Sequence, residues 1–449
     1  MAARYDVVVL GAGNAGMEAA AVAKAHGRSV AIVENRAVGG TCPLRGCVPK
    51  KVLVAAAEAL DGIAKASMHH IETGGARLDW AGLIGRARSF VAGSSESFAT
   101  SLRERGIDLH EGTARFVGRT RVAVGDVELD GGKIVIATGS KPRPLPIEGA
   151  RHMIISDDLL TDPTLPESLV FIGGGVVALE FSHVLARAGC AVTILEVGPR
   201  LLPAADAEAA AVLRQVSEQL GIAVLTEVEV EAIEPEGSGL KVRFRHRDAV
   251  RTIAAQRVAN GAGRIPDLDA LDLDAAGIEH DRGHIALDGN LRSRSNPDVY
   301  VAGDAIAETA QLSPLATHEG RAVGRHIVGA GGGPPDYPAV PSVVFTVPAL
   351  ASVGLTEAEA RDKGVAFEVE TRDMGDWLSS RLYGASAAYA KVLVESGSGR
   401  ILGAHLVGKG CEEVIHLFAL AIRQRLTSGD LSSMVYGFPT FSSDVPSMV

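Results

Sequence analysis

The sequence predicts an α/β fold: two doubly wound domains on parallel sheets, then a smaller C-terminal α+β domain. Three observations predict it. A short apolar run, a glycine-rich turn and a helix-forming stretch open the 449-residue chain, and the same succession returns 162 positions later. Prolines cluster at Pro142–Pro146, and a Gly/Pro stretch, GAGGGPPDYP from Gly329 to Pro338, reads as a linker. Beyond that linker the pattern changes to paired strands and one amphipathic helix. At roughly 150 residues per domain, the length suits about three domains.

Each element follows from its residues. Tyr5–Leu10 is an apolar run of the kind buried in a parallel sheet. GAGNAG follows at Gly11–Gly16, and Met17–His26 is rich in helix formers and stops at Gly27. Ser29–Val33 is the second strand, ending at Glu34. The copy begins at Leu169. Without a gap, Gly11 aligns on Gly173, Gly13 on Gly175, Gly16 on Ala178, Glu18 on Glu180, Gly27 on Gly189 and Glu34 on Glu196. Such a match marks two Rossmann-like units in one chain. Boundaries fall near Pro142–Pro146, after Ile134–Gly139, and near Gly263–Pro266. In the last segment Lys391–Glu395 and Ile401–Val407 read as a hairpin. Cys411–Arg425 reads as a helix with Val414, Leu417, Phe418, Ala421 and Ile422 on one side.

Composition excludes several functions. Net charge is −10, which argues against a nucleic-acid or anionic-membrane partner. Aromatic residues make up 4%, too few for a surface that stacks single strands. No apolar run approaches the roughly 18 residues of a membrane span. The N-terminus lacks a secretory layout, so the cytosol is expected. Four cysteines do not make a disulfide framework.

The glycines carry chemistry. In both copies the G-x-G-x-x-G-like turn lies between a strand and a helix, with an acid eighteen residues past the third small residue. Gly11 permits the tight turn, and Gly13 lets backbone approach a pyrophosphate at the helix N-terminus. Glu34 would take the ribose hydroxyls of the first nucleotide and Glu196 those of the second. Because a carboxylate repels a 2′-phosphate, Glu196 favours NADH over NADPH. Ala178 in the third small position and the nearby Arg200 pull the other way.

Cys42 and Cys47 sit in GGTCPLRGCVPKK, ahead of the helix-like Val52–Leu60. In an ideal helix five residues advance about 7.5 Å, whereas a disulfide prefers Cα atoms within about 6.8 Å. A bond between them needs a distorted first turn, which Pro43 and Gly46 suit. A thiol at a helix N-terminus has a lowered pKa, so the pair reads as redox-active. A structural disulfide and half of a zinc site are the alternatives, and no second Cys/His pair has the spacing for the latter. Cys190 and Cys411 read as buried small apolar residues, and no metal site is expected.

Over its whole length the chain resembles the flavin-dependent pyridine nucleotide–disulfide oxidoreductases. The resemblance rests on GAGNAG, GGTCPLRGCVPKK, Ala137-Thr138-Gly139, GGGVVALE, Gly263–Pro266, Ala302-Gly303-Asp304, Leu315–Gly320, Phe345–Pro348 and Val353–Glu357. It implies an FAD domain of residues 1–145 and 266–330, an NAD(P)H domain of 146–265 and an interface domain of 338–449 that completes a homodimer. It implies FAD contacts at Gly11, Gly13, Gly16, Glu34, Gly40, Thr41, Lys51, Thr138, Gly139, Gly303 and Ala316, with Asp304 on the ribityl chain. Gly173, Gly175, Ala178, Glu196, Gly263 and Arg264 complete the set of nucleotide contacts. Cys47 would be the charge-transfer thiol beside the flavin and Cys42 the interchange thiol. Lys51 would pair with Glu180 near flavin N5.

The resemblance breaks at the end. Disulfide-reducing members carry His-Pro-Thr-x-x-Glu, and here Phe438 stands for the histidine and Ser443 for the glutamate. Asp444 is one residue late; His318, His416 and Tyr436 are candidate substitutes. A carbon–carbon or carbon–sulfur cleaving member of the family also has phenylalanine at the base position. Mercuric reductase lacks the histidine too but uses a C-terminal cysteine pair, which Val445–Val449 does not contain. The expected function is an FAD- and NADH-dependent oxidoreductase working through Cys42 and Cys47 on a small-molecule acceptor. The carbon-bond-cleaving enzyme and a flavin-binding redox sensor are the alternatives.

Overall fold

The computed structural model describes residues 2–449. They form two compact units. One takes the chain up to Lys50, Ala87–Arg143 and Arg264–Asp336; the other takes Lys51–Arg86, Pro144–Gly263 and Tyr337–Val449.

The first unit opens with β1 (Ala3–Leu10), α1 (Asn14–Ala25) and β2 (Val30–Glu34). Its sheet adds β3 (Asp108–Glu111), β4 (Ala114–Phe116), β5 (Arg121–Val124) and β6 (Val127–Ile136), in the order β3-β2-β1-β6-β5-β4. β1 runs parallel to both β2 and β6, and the strand Val299–Val301 also pairs in parallel with β6. A central parallel strand is covered on both faces, so its residues need not alternate. Val7–Leu10 are accordingly all buried. Helix Ser313–Val328 lies against α1 at backbone distance: a Cβ on Gly320 would stand 2.2 Å from Ala15 O.

In the second unit a four-stranded parallel sheet takes Ala223–Leu225, Ala191–Leu195, Ser168–Ile172 and Arg257–Asn260 in that spatial order. A three-stranded antiparallel sheet, Val228–Ala255, follows. The expected hairpin is present: Tyr389–Glu395 pairs antiparallel with Ile401–Gly408 inside a five-stranded sheet. Helix Cys411–Gln424 packs on that sheet through Val414, Ile415, Phe418 and Ala421. Asp206 caps the helix Ala207–Gln219 by accepting from the Glu208 and Ala209 N–H groups. It also pairs with the buried Lys391 at 3.2 Å.

Candidate nucleotide and dithiol site

The two glycine turns fold alike because their residues impose the same path. Gly11 has φ +110° and Gly173 φ +99°. A Cβ on Gly11 would stand 2.3 Å from Ala137 O, and one on Gly173 2.5 Å from Ala262 Cα. Each turn is then tied to its own acid. Glu34 accepts from Ala12 N at 2.7 Å and Arg36 N at 2.8 Å; Glu196 accepts from Gly174 N at 2.5 Å and Gly198 N at 2.7 Å. The 162-residue shift thus holds bond for bond. Helix α1 and helix Val176–Ala188 begin at Gly13 and Gly175 with no side-chain cap and no acid in the first turn. Their leading N–H groups and positive dipole ends are left for an anion from outside the chain.

The first turn is roofed by more glycine. Gly39 donates its N–H to Ala12 O at 2.9 Å, and a Cβ on Gly40 would stand 2.7 Å from Gly13 Cα. Thr41 begins the next helix, and Thr138 follows β6 with a buried hydroxyl oxygen that has no hydrogen-bond partner. Gly139, at φ +73°, leads into Ser140–Pro142, which pairs with Arg264–Pro266 after Gly263. Ser140 Oγ donates to Asp304 at 3.0 Å and accepts from Arg264 Nε at 2.9 Å. Burial holds the Asp304 carboxyl above its ordinary pKa. Gly303 leaves 3.2 Å between its would-be Cβ and Ala316, and donates its N–H to the fully buried Glu319 at 2.7 Å. An uncapped helix start, a glycine cradle and an orphaned hydroxyl fit a phosphate-linked cofactor.

Cys42 lies on α2 (Thr41–Arg45) and Cys47 begins α3 (Cys47–Ala64). The expected distortion is a complete break at Gly46, φ −143° and ψ −112°. A side chain there would meet Thr41 O at 3.0 Å. Both cysteines are free thiols, Cys42 half-buried and Cys47 exposed. The neighbouring Cys47 brings the Cys42 thiol down to about 6, and Cys42 in turn pushes Cys47 up, so the first proton leaves the reduced pair far more readily than the second. The pair therefore shares one proton near neutral pH.

Lys51 and Glu180 do not make the direct ion pair the resemblance implied. Lys51 Nζ pairs with Glu58 at 3.1 Å and lies 4.6 Å from the centre of the Phe345 ring. The buried Glu180 accepts the Phe345 N–H at 2.8 Å. Glu58, on the same helix as Lys51, takes the lysine's charge, and the Phe345 ring lies beside it.

The chain matches the pyridine nucleotide-disulphide oxidoreductase family over residues 5–320 and that family's dimerisation domain over 340–449. It is 33% identical to a dihydrolipoyl dehydrogenase of Chlorobaculum tepidum, over 99% of this chain and 96% of the relative. It is also 33% identical to a glutathione reductase of Burkholderia cepacia, over 98% and 97%. Among solved structures it superposes on a Cu(II) complex of a mutant of the HOCl-induced flavoprotein disulfide reductase RclA from Escherichia coli. That match has a TM-score of 0.88, 27% identity and 99% coverage of both chains. This chain belongs to the pyridine nucleotide–disulfide oxidoreductase family. Like its relatives it is a flavoprotein oxidoreductase of the sulfur-acting class, of a family that uses FAD and pyridine nucleotides.

Within that family the tail is this chain's departure. Phe438 is 76% exposed and Val435 98%. Asp444 is bonded by Ser379 Oγ, and Ser443 closes a local cap with Thr440. Tyr436 OH donates to Leu431 O at 3.0 Å. Cys190 and Cys411 are buried as expected. Among the described residues, no group of three or more His, Cys, Asp or Glu side chains is arranged to hold a metal, and no helix is long and apolar enough to cross a membrane. One contributor escaped the sequence: Ser140, which only its adjacency to Gly139 marks.

Proposed function

We propose that this chain is a homodimeric FAD-dependent NADH oxidoreductase that reduces a small acceptor through Cys42 and Cys47. The acceptor is one whose leaving group departs without a proton. The observation that carries this reading is the pair of free, mutually perturbing thiols on either side of the Gly46 break, in a chain whose tail carries Phe438 at the base position.

The residues divide the work. The backbone of Gly11, Gly13, Gly16 and Gly40, with Glu34, Thr41, Thr138, Gly139, Gly303, Asp304 and Ala316, would hold FAD. Gly173, Gly175, Ala178, Glu196, Gly263 and Arg264 would hold the dinucleotide. When bound, the flavin supplies the two-electron relay between nicotinamide and dithiol. Glu196 favours a 2′-hydroxyl. The guanidinium of Arg200 is committed to the carbonyls of Leu202, Pro203 and Ala205, at 2.9, 2.6 and 3.1 Å, which supports NADH over NADPH.

On a disulfide acceptor, the Cys42 thiolate attacks one sulfur, and the broken S–S bond leaves its electron pair on the departing thiolate. Cys47, giving its proton to water, then attacks Cys42 sulfur, expels the second thiolate and closes the Cys42–Cys47 bond. No step uses a tail base. A thiol with a low pKa leaves unaided, whereas an alkyl thiol benefits from a proton that phenyl cannot give. Anaerobic titration with one equivalent of NADH tests the reading: a long-wavelength charge-transfer band is expected. Direct passage to fully reduced flavin without that band would overturn it.

A further inference from the structure

The second unit holds a cavity that no step of the chemistry above uses. It measures about 520 Å³, within the roughly 300–1,000 Å³ of small-molecule pockets. Three backbone hydrogen bonds build it. Leu355 N–H donates to Leu402 O at 3.0 Å, Ile401 N–H to Leu426 O at 3.1 Å, and Glu395 N–H to Arg400 O at 2.8 Å. They bring together the turn after strand Ala349–Gly354, the hairpin end and the C-terminus of helix Cys411–Gln424. Gly354, at φ +76°, lets the turn close: a Cβ there would stand 2.2 Å from Leu402 O and 2.7 Å from Ile422 Cδ1. The floor is apolar, with Leu355, Ile401, Leu402 and Ile422 lining it. Lys363, Arg400 and Arg425 line the same cavity. They face one carboxylate, Glu395, which already accepts from Ser398 Oγ at 2.5 Å. Among the described residues, none of the three cationic side chains has an ion pair or a hydrogen bond. Such a concentration runs against a chain whose net charge is −10. Arg425 also sits at φ +56°, closing helix Cys411–Gln424 where glycine is usual. A side chain at that torsion strains the backbone, and what it contributes is a guanidinium at the cavity.

We propose that this cavity binds a small organic phosphate with an aromatic or aliphatic body. Three cations against one engaged carboxylate call for more negative charge than a single carboxylate carries, and a phosphate dianion supplies it. Each guanidinium can grip phosphate oxygens with paired N–H donors, and the lysine adds a point charge. The apolar floor takes the body of the ligand. Free phosphate meets the cations but not the floor; an uncharged ring meets the floor but not the cations. The three cations are exposed, so binding weakens as salt rises. None of these residues belongs to the nucleotide or thiol sets, so the site stands whatever the acceptor is.

The test uses the FAD-loaded full chain with phenyl phosphate as probe, followed by saturation-transfer NMR at low ionic strength. Saturable binding in the low millimolar range is expected, with phenol and inorganic phosphate each at least about tenfold weaker. Arg400→Gln and Arg425→Gly are each expected to weaken phenyl phosphate about tenfold, the size of one hydrogen bond to a charged group. Glycine suits the torsion at 425, so that variant keeps the helix end. Arg423→Gln removes the same charge two residues away, outside the cavity lining, and is expected to keep the wild-type affinity. Bound-flavin absorbance reports folding, and either cavity variant decides alone. Absence of saturable binding, equal affinity for phenol or for inorganic phosphate, or unchanged affinity in a folded Arg400→Gln or Arg425→Gly would overturn the proposal.

Discussion

Lys391 Nζ, on a side chain 2% exposed, lies 3.2 Å from a carboxylate oxygen of Asp206, itself 3% exposed. Glu357 at 2.6 Å and Glu208 at 3.4 Å complete the cluster, and Tyr389 OH donates to Glu208 at 2.7 Å. Removing the lysine strands buried carboxylate charge and frees the cap of helix Ala207–Gln219. Lys391→Met is expected to cost about 3–5 kcal/mol of stability, measured by urea unfolding. Burial alone would lower the Lys391 pKa, but the Glu357 hydrogen bond and the charges of Asp206 and Glu208 outweigh it and raise it. Its contribution is thus complete below the ordinary lysine value and is lost as pH rises through the raised one. The gap between wild type and variant should close only in strong alkali.

The cysteines have separable roles. Cys47→Ser is expected to abolish the long-wavelength band that NADH elicits. Cys42→Ser is expected to show it without reductant, since the remaining thiol has no partner with which to form a disulfide. Absorbance spectra of the two variants decide it; a band retained in Cys47→Ser would reverse the assignment.

Coenzyme choice should follow Glu196. A higher kcat/KM is expected with NADH than with NADPH, and Glu196→Ala should narrow the difference mainly by improving NADPH. Since Arg200 is tied to three carbonyls, Arg200→Ala should leave the preference in place. A tenfold wild-type preference for NADPH would contradict this.

Acceptors should sort by leaving group. Wild type should reduce an aromatic disulfide and stall with glutathione disulfide or lipoamide, at a disadvantage of ~10²–10⁴, the usual worth of a positioned proton donor. With Cys42 ionising at about 6, its rate should fall as pH drops below that value. Phe438→His with Ser443→Glu should recover part of the alkyl-disulfide activity. Fast wild-type turnover of either alkyl substrate would show that another group supplies the proton.

What could be read from the residues was what repeats or what needs a special backbone. Gly11 and Gly173 announce themselves because only glycine tolerates those torsions and clearances. The strands Tyr5–Leu10 and Ile401–Val407 were visible as apolar runs, with ends a residue or two off. Contacts between side chains far apart in sequence left no such trace. Glu180 meets Phe345 across 165 positions, and Asn14 meets Ser313 across 299. No period or spacing encodes either. The direct Lys51–Glu180 pair that the resemblance implied is absent, because Lys51 is taken by Glu58 on the same face of its own helix.

The duplicated turns differ in where they keep one methyl group. A Cβ on Gly16 would stand 1.9 Å from Gly11 O, so the first helix tolerates none, while the strand end that bonds to Leu10 is Ala137. In the second copy the helix carries Ala178, and the matching strand end, bonded to Ile172, is Gly261, whose own Cβ would fall 2.8 Å from that methyl. Helix and strand end have therefore exchanged their small partner. The halves have become non-recombinable: a crossover that moved Gly11–Glu34 into the place of Gly173–Glu196, without its strand end, would bring together two methyl-less surfaces and leave a void. The reciprocal graft would drive the Ala178 methyl against that of Ala137.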